Sequence, residues 1–162
     1  LKNFELIKKI KIQSYNLAAE LKDQNPRNVL ACKFSLPFAI STTLVNLDTG
    51  VMSFTENMRT NKKIQKLCQK VTVDEDPSMT EKTPDLRPAH VTISLDDGTT
   101  FEASVTTNRG DWQDPYSEED LQQKFFSLAT RLWNKKKALN VYSQSMRLEK
   151  IPLNTFIKSM IN

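Results

Sequence analysis

Apolar and polar residues alternate most strictly in two runs of the chain. Val91, Ile93 and Leu95 alternate with Thr92 and Ser94, and Phe101, Ala103 and Val105 alternate with Glu102 and Ser104. Each run reads as a half-buried strand, and the residues between them set the register. A two-residue loop at Asp97-Gly98 would place Ile93 opposite Glu102 and bury a charge. A three-residue loop, Asp96-Asp97-Gly98, instead sets Leu95 opposite Thr99, Ile93 opposite Phe101 and Val91 opposite Ala103. That register keeps one face of the hairpin apolar, and it needs a positive φ at its third position, which Gly98 adopts without steric cost.

Patterns of period 3.6 surround this hairpin. After a loop over residues 108–116, Ser117 is a good N-cap, with Asp120 three residues on and Glu118, Glu119 and Asp120 in the positively polarised first turn. Leu121, Phe125, Leu128 and Leu132 then form an apolar stripe facing a core. Earlier, Ser35 caps a helix that admits Pro37 in its first turn and carries Leu36, Ile40, Leu44 and Leu47 inward until Thr49-Gly50 ends it. Its threonines and Val45 are weak helix formers, so burial must hold it.

Short helices are predicted over residues 52–60 and 62–70, the second with Ile64, Leu67 and Cys68 inward. Val71 and Val73 begin a strand. Residues 6–14 alternate around Ile10 and Ile12 with a lysine-rich outer side, the pattern of a blunted edge strand. Residues 15–28 are mostly connection, with a helical turn near 17–21, and residues 74–88, with three prolines, form an exposed loop. Further helices follow over 138–146 and after Pro152. The fold class is therefore α+β, a small antiparallel sheet packed with helices. Phe156, Ile157, Met160 and Ile161 exceed what that sheet can cover, so we expect the tail to meet a partner surface.

At 162 residues and 38% hydrophobic content the chain can build one core. Its net charge of +4 and pI near 9.0 come from lysines scattered along the whole length. They do not interleave with exposed aromatics on a strand, so we expect no nucleic-acid partner. There is no apolar run of bilayer length and no signal-peptide core near the start, and we expect no membrane segment. Cys32 and Cys68 sit in helical segments without metal-ligand spacing. We read them as free buried thiols of a reducing, cytoplasmic setting. The chain begins at Leu1 rather than a methionine, and we expect it to be part of something longer.

Three glycines leave no phosphate-cradling loop. His90, the single histidine, stands at a strand start on the polar phase and reads as an exposed or edge residue rather than a general base. A Ser-His-Asp arrangement could only be built on it, and no serine sits on a nucleophile elbow. Asp96 and Asp97 are turn residues. Among the cations Lys33, Arg59, Arg87 and Arg109, Lys33 precedes a capped helix and Arg109 sits beside Gly110. A helix N-terminus beside a cation suits a carboxylate.

With these residues in view, the chain resembles the C-terminal part of the MmgE/PrpD family, the group of 2-methylcitrate dehydratase and cis-aconitate decarboxylase. Four pieces in order carry the resemblance. They are Lys33-Phe34-Ser35-Leu36-Pro37-Phe38 with a small-residue helix ending near Leu47-Asp48 and Gly50, and the helices over 54–68 running into Val71-Thr72-Val73. Then come Pro88-Ala89-His90-Val91-Thr92-Ile93 with Leu95-Asp96-Asp97-Gly98, and Gly110-Asp111-Trp112-Gln113-Asp114-Pro115-Tyr116-Ser117 with Leu121 and Lys124-Phe125.

The resemblance implies a large all-helical domain and a smaller α+β lid, with the active site between them. Residues 1–133 would be the lid and 134–162 a helical tail returning to the absent helical domain. It implies that the catalytic residues lie in that N-terminal domain, that the full-length enzyme is a homodimer, and that no metal or cofactor takes part. The substrate would be a di- or tricarboxylate, losing a proton beside a carboxylate and then water or carbon dioxide. By the same resemblance Lys33 contacts a substrate carboxylate with Ser35 beside it. Phe38 lies near the substrate, at a position that is often tyrosine in relatives, and here it has no hydroxyl. Asp111 receives no catalytic role. 2-Methylcitrate dehydration is the leading activity; cis-aconitate decarboxylation and dicarboxylate epimerisation stay open within the family. A free-standing α+β module that binds a partner through its last helices is the reading from another class.

Overall fold

The structure, a computed structural model, describes residues 4–161. The chain divides into two compact units, Leu1–Asp114 and Pro115–Asn162.

The first unit begins with a 3-10 turn, Phe4–Leu6, and strand β1, Ile7–Ser14. Helices α1, Asn16–Ala19, α2, Val29–Lys33, and α3, Leu36–Asn46, follow. Next come α4, Glu56–Arg59, α5, Lys62–Cys68, strand β2, Val71–Glu75, and α6, Pro77–Thr80. The unit closes with the hairpin β3, Ala89–Leu95, and β4, Thr100–Val105. The hairpin has the three-residue register: Ile93 faces Phe101 and Val91 faces Ala103, the Leu95 N–H reaches the Thr99 carbonyl at 2.8 Å, and Gly98 has a φ of +88°.

The strand order is β2-β1-β3-β4, with β1 parallel to β2 and antiparallel to β3. The sheet is thus mixed rather than purely antiparallel. The chain leaves β1 and returns through helices before entering β2, which is the crossover a parallel pair requires. For the same reason β1 is interior and not the edge its lysines suggested. Alternation reports which face a side chain occupies, and Lys9 and Lys11 line the face away from the helices, level with Thr72, Thr92 and Ser94.

The opposite face carries Ile10, Ile12 and Val71 into the main core with Ile7, Leu67 and Leu95, covered by Leu36, Ile40, Leu44 and Val45 of α3. α3 packs against α5 and β2, toward one end of the strand order. β4 lies at the other end, so its apolar side chains are exposed, Phe101 at 47% and Val105 at 57%. An apolar hairpin face is legible in sequence; which part of it a helix reaches is not.

Several elements differ from expectation: the helix expected over 52–60 is a 3-10 turn, Val51–Ser53, followed by α4, and two further differences have a local cause. α3 stops at Asn46 because Leu47 adopts a left-handed backbone, φ +56°, with its N–H on the Thr43 carbonyl. That turn swings Leu47 out of the apolar stripe to 81% exposure. The proline-rich segment 74–88 holds one helical turn, α6, because the Asp76 carboxylate caps it through the Ser78 N–H at 2.9 Å.

The second unit contains α7, Glu118–Ala129, α8, Lys135–Ser145, and α9, Leu153–Ile161. α7 starts with the expected capping box, Ser117 and Asp120 each bonding the other's backbone N–H. Asn134 caps α8 through the Lys137 N–H at 2.9 Å. Phe125, Phe126 and Tyr142 pack edge-on or tilted with ring centroids 5.3 to 5.5 Å apart, and Ala138 and Val141 are buried. Of the stripe expected on α7, Leu121 and Leu128 remain well exposed, and Leu132 lies past the helix end and is the most exposed of the set. No helix of the described residues is long and apolar enough to cross a membrane.

Candidate functional site

The three residues that the resemblance places at a substrate, Lys33, Ser35 and Phe38, occupy the corner where α2 turns into α3. The sequence builds this corner with two caps in succession. The Asn28 side chain accepts the Ala31 N–H at 2.8 Å and starts α2. Five residues later the helix ends, and the Ser35 hydroxyl accepts the Phe38 N–H at 3.0 Å to start α3.

The structure gives the three side chains different surroundings. Lys33 is exposed at the end of α2. Ser35 is buried, and its hydroxyl also donates to the Asp23 carbonyl. Phe38 is sealed in a second core cluster with Cys32, Ile64 and Cys68, its ring 5.9 Å from that of Phe54. The first turn of α3 has no donor left for an anion. The Leu36 N–H is bonded to the Leu21 carbonyl at 2.8 Å, Pro37 has none, and the Phe38 N–H meets Ser35. A carboxylate at this corner would therefore meet the Lys33 ammonium as a point charge rather than a cation backed by a helix dipole.

The other expected cations are engaged. Arg59 bonds Glu56 one turn away on α4, with Nε to Oε2 at 2.9 Å, and this pair holds the Glu56 carboxyl below the usual carboxylate range. Arg87 reaches Asp111 at 3.1 Å and Arg109 reaches Asp114 at 3.6 Å. Among the described residues no carboxylate is paired with Lys33.

Asp111 organises the loop before α7. Besides Arg87, its Oδ2 accepts from Thr107 Oγ1 at 3.3 Å and Asn108 Nδ2 at 3.4 Å. Gly110, with a φ of +98°, donates its N–H to the Asp114 carbonyl at 2.7 Å and closes the turn. Trp112 is left 86% exposed at its tip.

His90 lies on the polar face of the sheet between two hydroxyls, Ser104 Oγ at 2.7 Å from Nδ1 and Thr92 Oγ1 at 3.2 Å from Nε2. Both ring nitrogens are occupied and among the described residues no carboxylate joins them, so the arrangement is a cross-strand polar ladder rather than a triad. The Ser104 contact was available from sequence, since the register that pairs Val91 with Ala103 also pairs His90 with Ser104. Among the described residues no three of His, Cys, Asp and Glu gather into a metal-ligand set. Burial pushes the Cys32 thiol up to about 11 and raises that of Cys68, which marks both as inert core groups.

The chain matches the MmgE/PrpD C-terminal domain over residues 1–148. It belongs to the MmgE/PrpD family. Among curated proteins, this MmgE/PrpD domain is similar to the cis-aconitate decarboxylase of Mus musculus, 28% identical over 100 residues that cover 62% of the chain. It spans about a fifth of the length of that relative, the aligned part being 20% of it. The family match takes in the α2–α3 corner, the hairpin and the Asp111 loop together, so all the pieces that carry the resemblance fall inside it.

Proposed function

We propose that the chain is the substrate-closing C-terminal domain of a lyase that acts on a di- or tricarboxylic acid without a metal, with 2-methylcitrate dehydration as the leading activity. The observation that carries this reading is the family match over residues 1–148, which spans both the α+β unit and most of the helical unit. In such a reaction a base takes the proton beside a carboxylate, and the electron pair expels hydroxide as water. The substrate's other carboxylates must be held still by cations meanwhile. On this chain Lys33 is the candidate for that holding role, because its ammonium is exposed and meets no carboxylate among the described residues. Ser35 and Phe38 enter the reading as the frame beneath it, one capping α3 and the other filling the core under the corner. The base itself belongs to a helical domain of the same enzyme, toward which the exposed apolar residues of the second unit would turn. A cytoplasmic homodimer completes the reading.

A second activity is favoured by a specific observation, the similarity to a cis-aconitate decarboxylase. There carbon dioxide rather than hydroxide would leave, and the electron pair it leaves behind, spread over the neighbouring double bond, would be quenched by a proton. One assay separates the two. The full-length enzyme is incubated with 2-methylcitrate, citrate and cis-aconitate, following the conjugated double bond by ultraviolet absorbance and carbon dioxide release in parallel. Rising absorbance with 2-methylcitrate supports the dehydratase, and gas from cis-aconitate supports the decarboxylase. No turnover of any of the three overturns the lyase reading and favours an epimerase or a partner-binding module.

A further inference from the structure

A cleft on the first unit has no part in the corner just described. It lies where α5 ends beside the 3-10 turn before β1, has a volume of about 470 Å³, and is lined by Phe4, Glu5, Lys63, Lys66, Leu67 and Lys70. That is within the size range of small-molecule sites, roughly 300 to 1,000 Å³.

The sequence spacing builds one wall. Lys63, Lys66 and Leu67 fall at i, i+3 and i+4 and share one face of α5, and Lys70 follows in the turn just past its end, with its N–H on the Leu67 carbonyl at 2.9 Å. Leu67 is buried in the main core and Phe4 packs against that core, so the floor is apolar and fixed. The lysines are positioned as well as present. The Lys70 ammonium donates to the Ile7 carbonyl, and its own carbonyl accepts the Ile10 N–H at 2.9 Å, which ties the end of α5 to the start of β1. The Lys63 ammonium stands 5.6 Å from the centre of the Phe4 ring. Against three ammonium groups the lining holds one carboxylate, Glu5. Lysine is well suited to such a rim, since its stem can lie along apolar surface while the charge faces water.

We infer that this cleft binds an amphipathic organic anion, with a hydrocarbon body over Phe4 and Leu67 and a carboxylate or phosphate head among Lys63, Lys66 and Lys70. An inorganic ion would leave the apolar floor uncovered, and a neutral hydrocarbon would leave the excess of ammonium groups over the single Glu5 carboxylate unbalanced. The inference stands apart from the lyase reading and does not need it.

The test is a titration of the ¹⁵N-labelled 162-residue chain, read by amide chemical shifts, with hexanoate and with hexyl phosphate as probes. Acetate and 1-hexanol serve as head-only and body-only controls. The expected result is saturable shifts confined to residues 4–7 and 62–70 with at least one of the two probes, the tighter probe naming the head group. Neither control should saturate there in the same range. The double variant Lys63→Gln/Lys66→Gln should keep the parent spectrum elsewhere and bind about fivefold more weakly, as expected for removing two partly exposed charges. The double variant Lys63→Arg/Lys66→Arg should stay near the parent. Shifts that spread evenly over the surface would overturn the inference. So would equal response to hexanoate and acetate, or unchanged affinity in the glutamine variant.

Discussion

Replacing Ser35 by alanine tests whether this hydroxyl is structural, and the structure sets the size of the effect. In the parent, Ser35 Oγ accepts the Phe38 N–H at 3.0 Å and donates to the Asp23 carbonyl from a site only 2% exposed. Loss of the cap costs about 1 kcal/mol. The part-buried bond to the Asp23 carbonyl is lost as well, at a further cost of about 1 kcal/mol, the usual net worth of one hydrogen bond. Ser35→Ala should therefore destabilise the fold by about 2 kcal/mol, or lower the melting temperature by about 4 to 8 °C for a chain of this size. Ser35→Gly separates the two parts. Glycine is nearly as good an N-cap, differing by a few tenths of a kcal/mol, but it cannot bond Asp23, so about 1 kcal/mol should remain. The measurement is urea denaturation followed by far-ultraviolet circular dichroism, comparing midpoints at equal slope. A Ser35→Ala protein within about 0.5 kcal/mol of the parent would refute the reasoning, because a hydroxyl engaged twice cannot be removed that cheaply. It would also leave Ser35 available as a group that meets substrate.

Gly98→Val should destabilise the hairpin by about 1 kcal/mol or more through its positive φ alone, since open space surrounds the added Cβ; a neutral urea melt would contradict this. The folded chain should resist thiol labelling at pH 8, because burial raises both thiols and seals them, and both cysteines should react once urea unfolds it; rapid labelling of the native chain would show the second core to be open. Stability should fall in acid. Glu56, Asp76 and Asp97 are held below the usual carboxylate range by bonds from Arg59, Ser78 and Thr99 respectively. Their contribution is thus present above the unfolded carboxylate pKa of about 4 and lost as pH falls through the depressed folded values, and Glu56→Gln should flatten the drop in urea midpoint. In the full-length enzyme Lys33→Ala should raise KM for the carboxylate substrate about tenfold while the melting temperature holds, as for a lost carboxylate contact; an unchanged KM would remove Lys33 from the substrate.

Local patterns fixed what needed only near neighbours. The hairpin register followed from alternation plus a glycine that can take a positive φ. Ser35 and Ser117 were legible as caps because a cap is a contact across three residues, and the family resemblance was carried by short ordered motifs. Where the sequence failed, what decided was either a contact far along the chain or a single backbone angle. Lysine alternation on β1 named its outward face correctly but not its neighbours, since whether a strand is interior depends on β2, which returns some sixty residues later and in parallel. The apolar stripe through Leu47 was broken by one backbone angle that no periodicity reports. Val91, Phe101 and Val105 share a face, yet the reach of α3 across the sheet decides which of them is covered. The same holds for the candidate site. Sequence could bring Lys33, Ser35 and Phe38 together as neighbours, but only packing separated the exposed ammonium from a hydroxyl and a ring held inside.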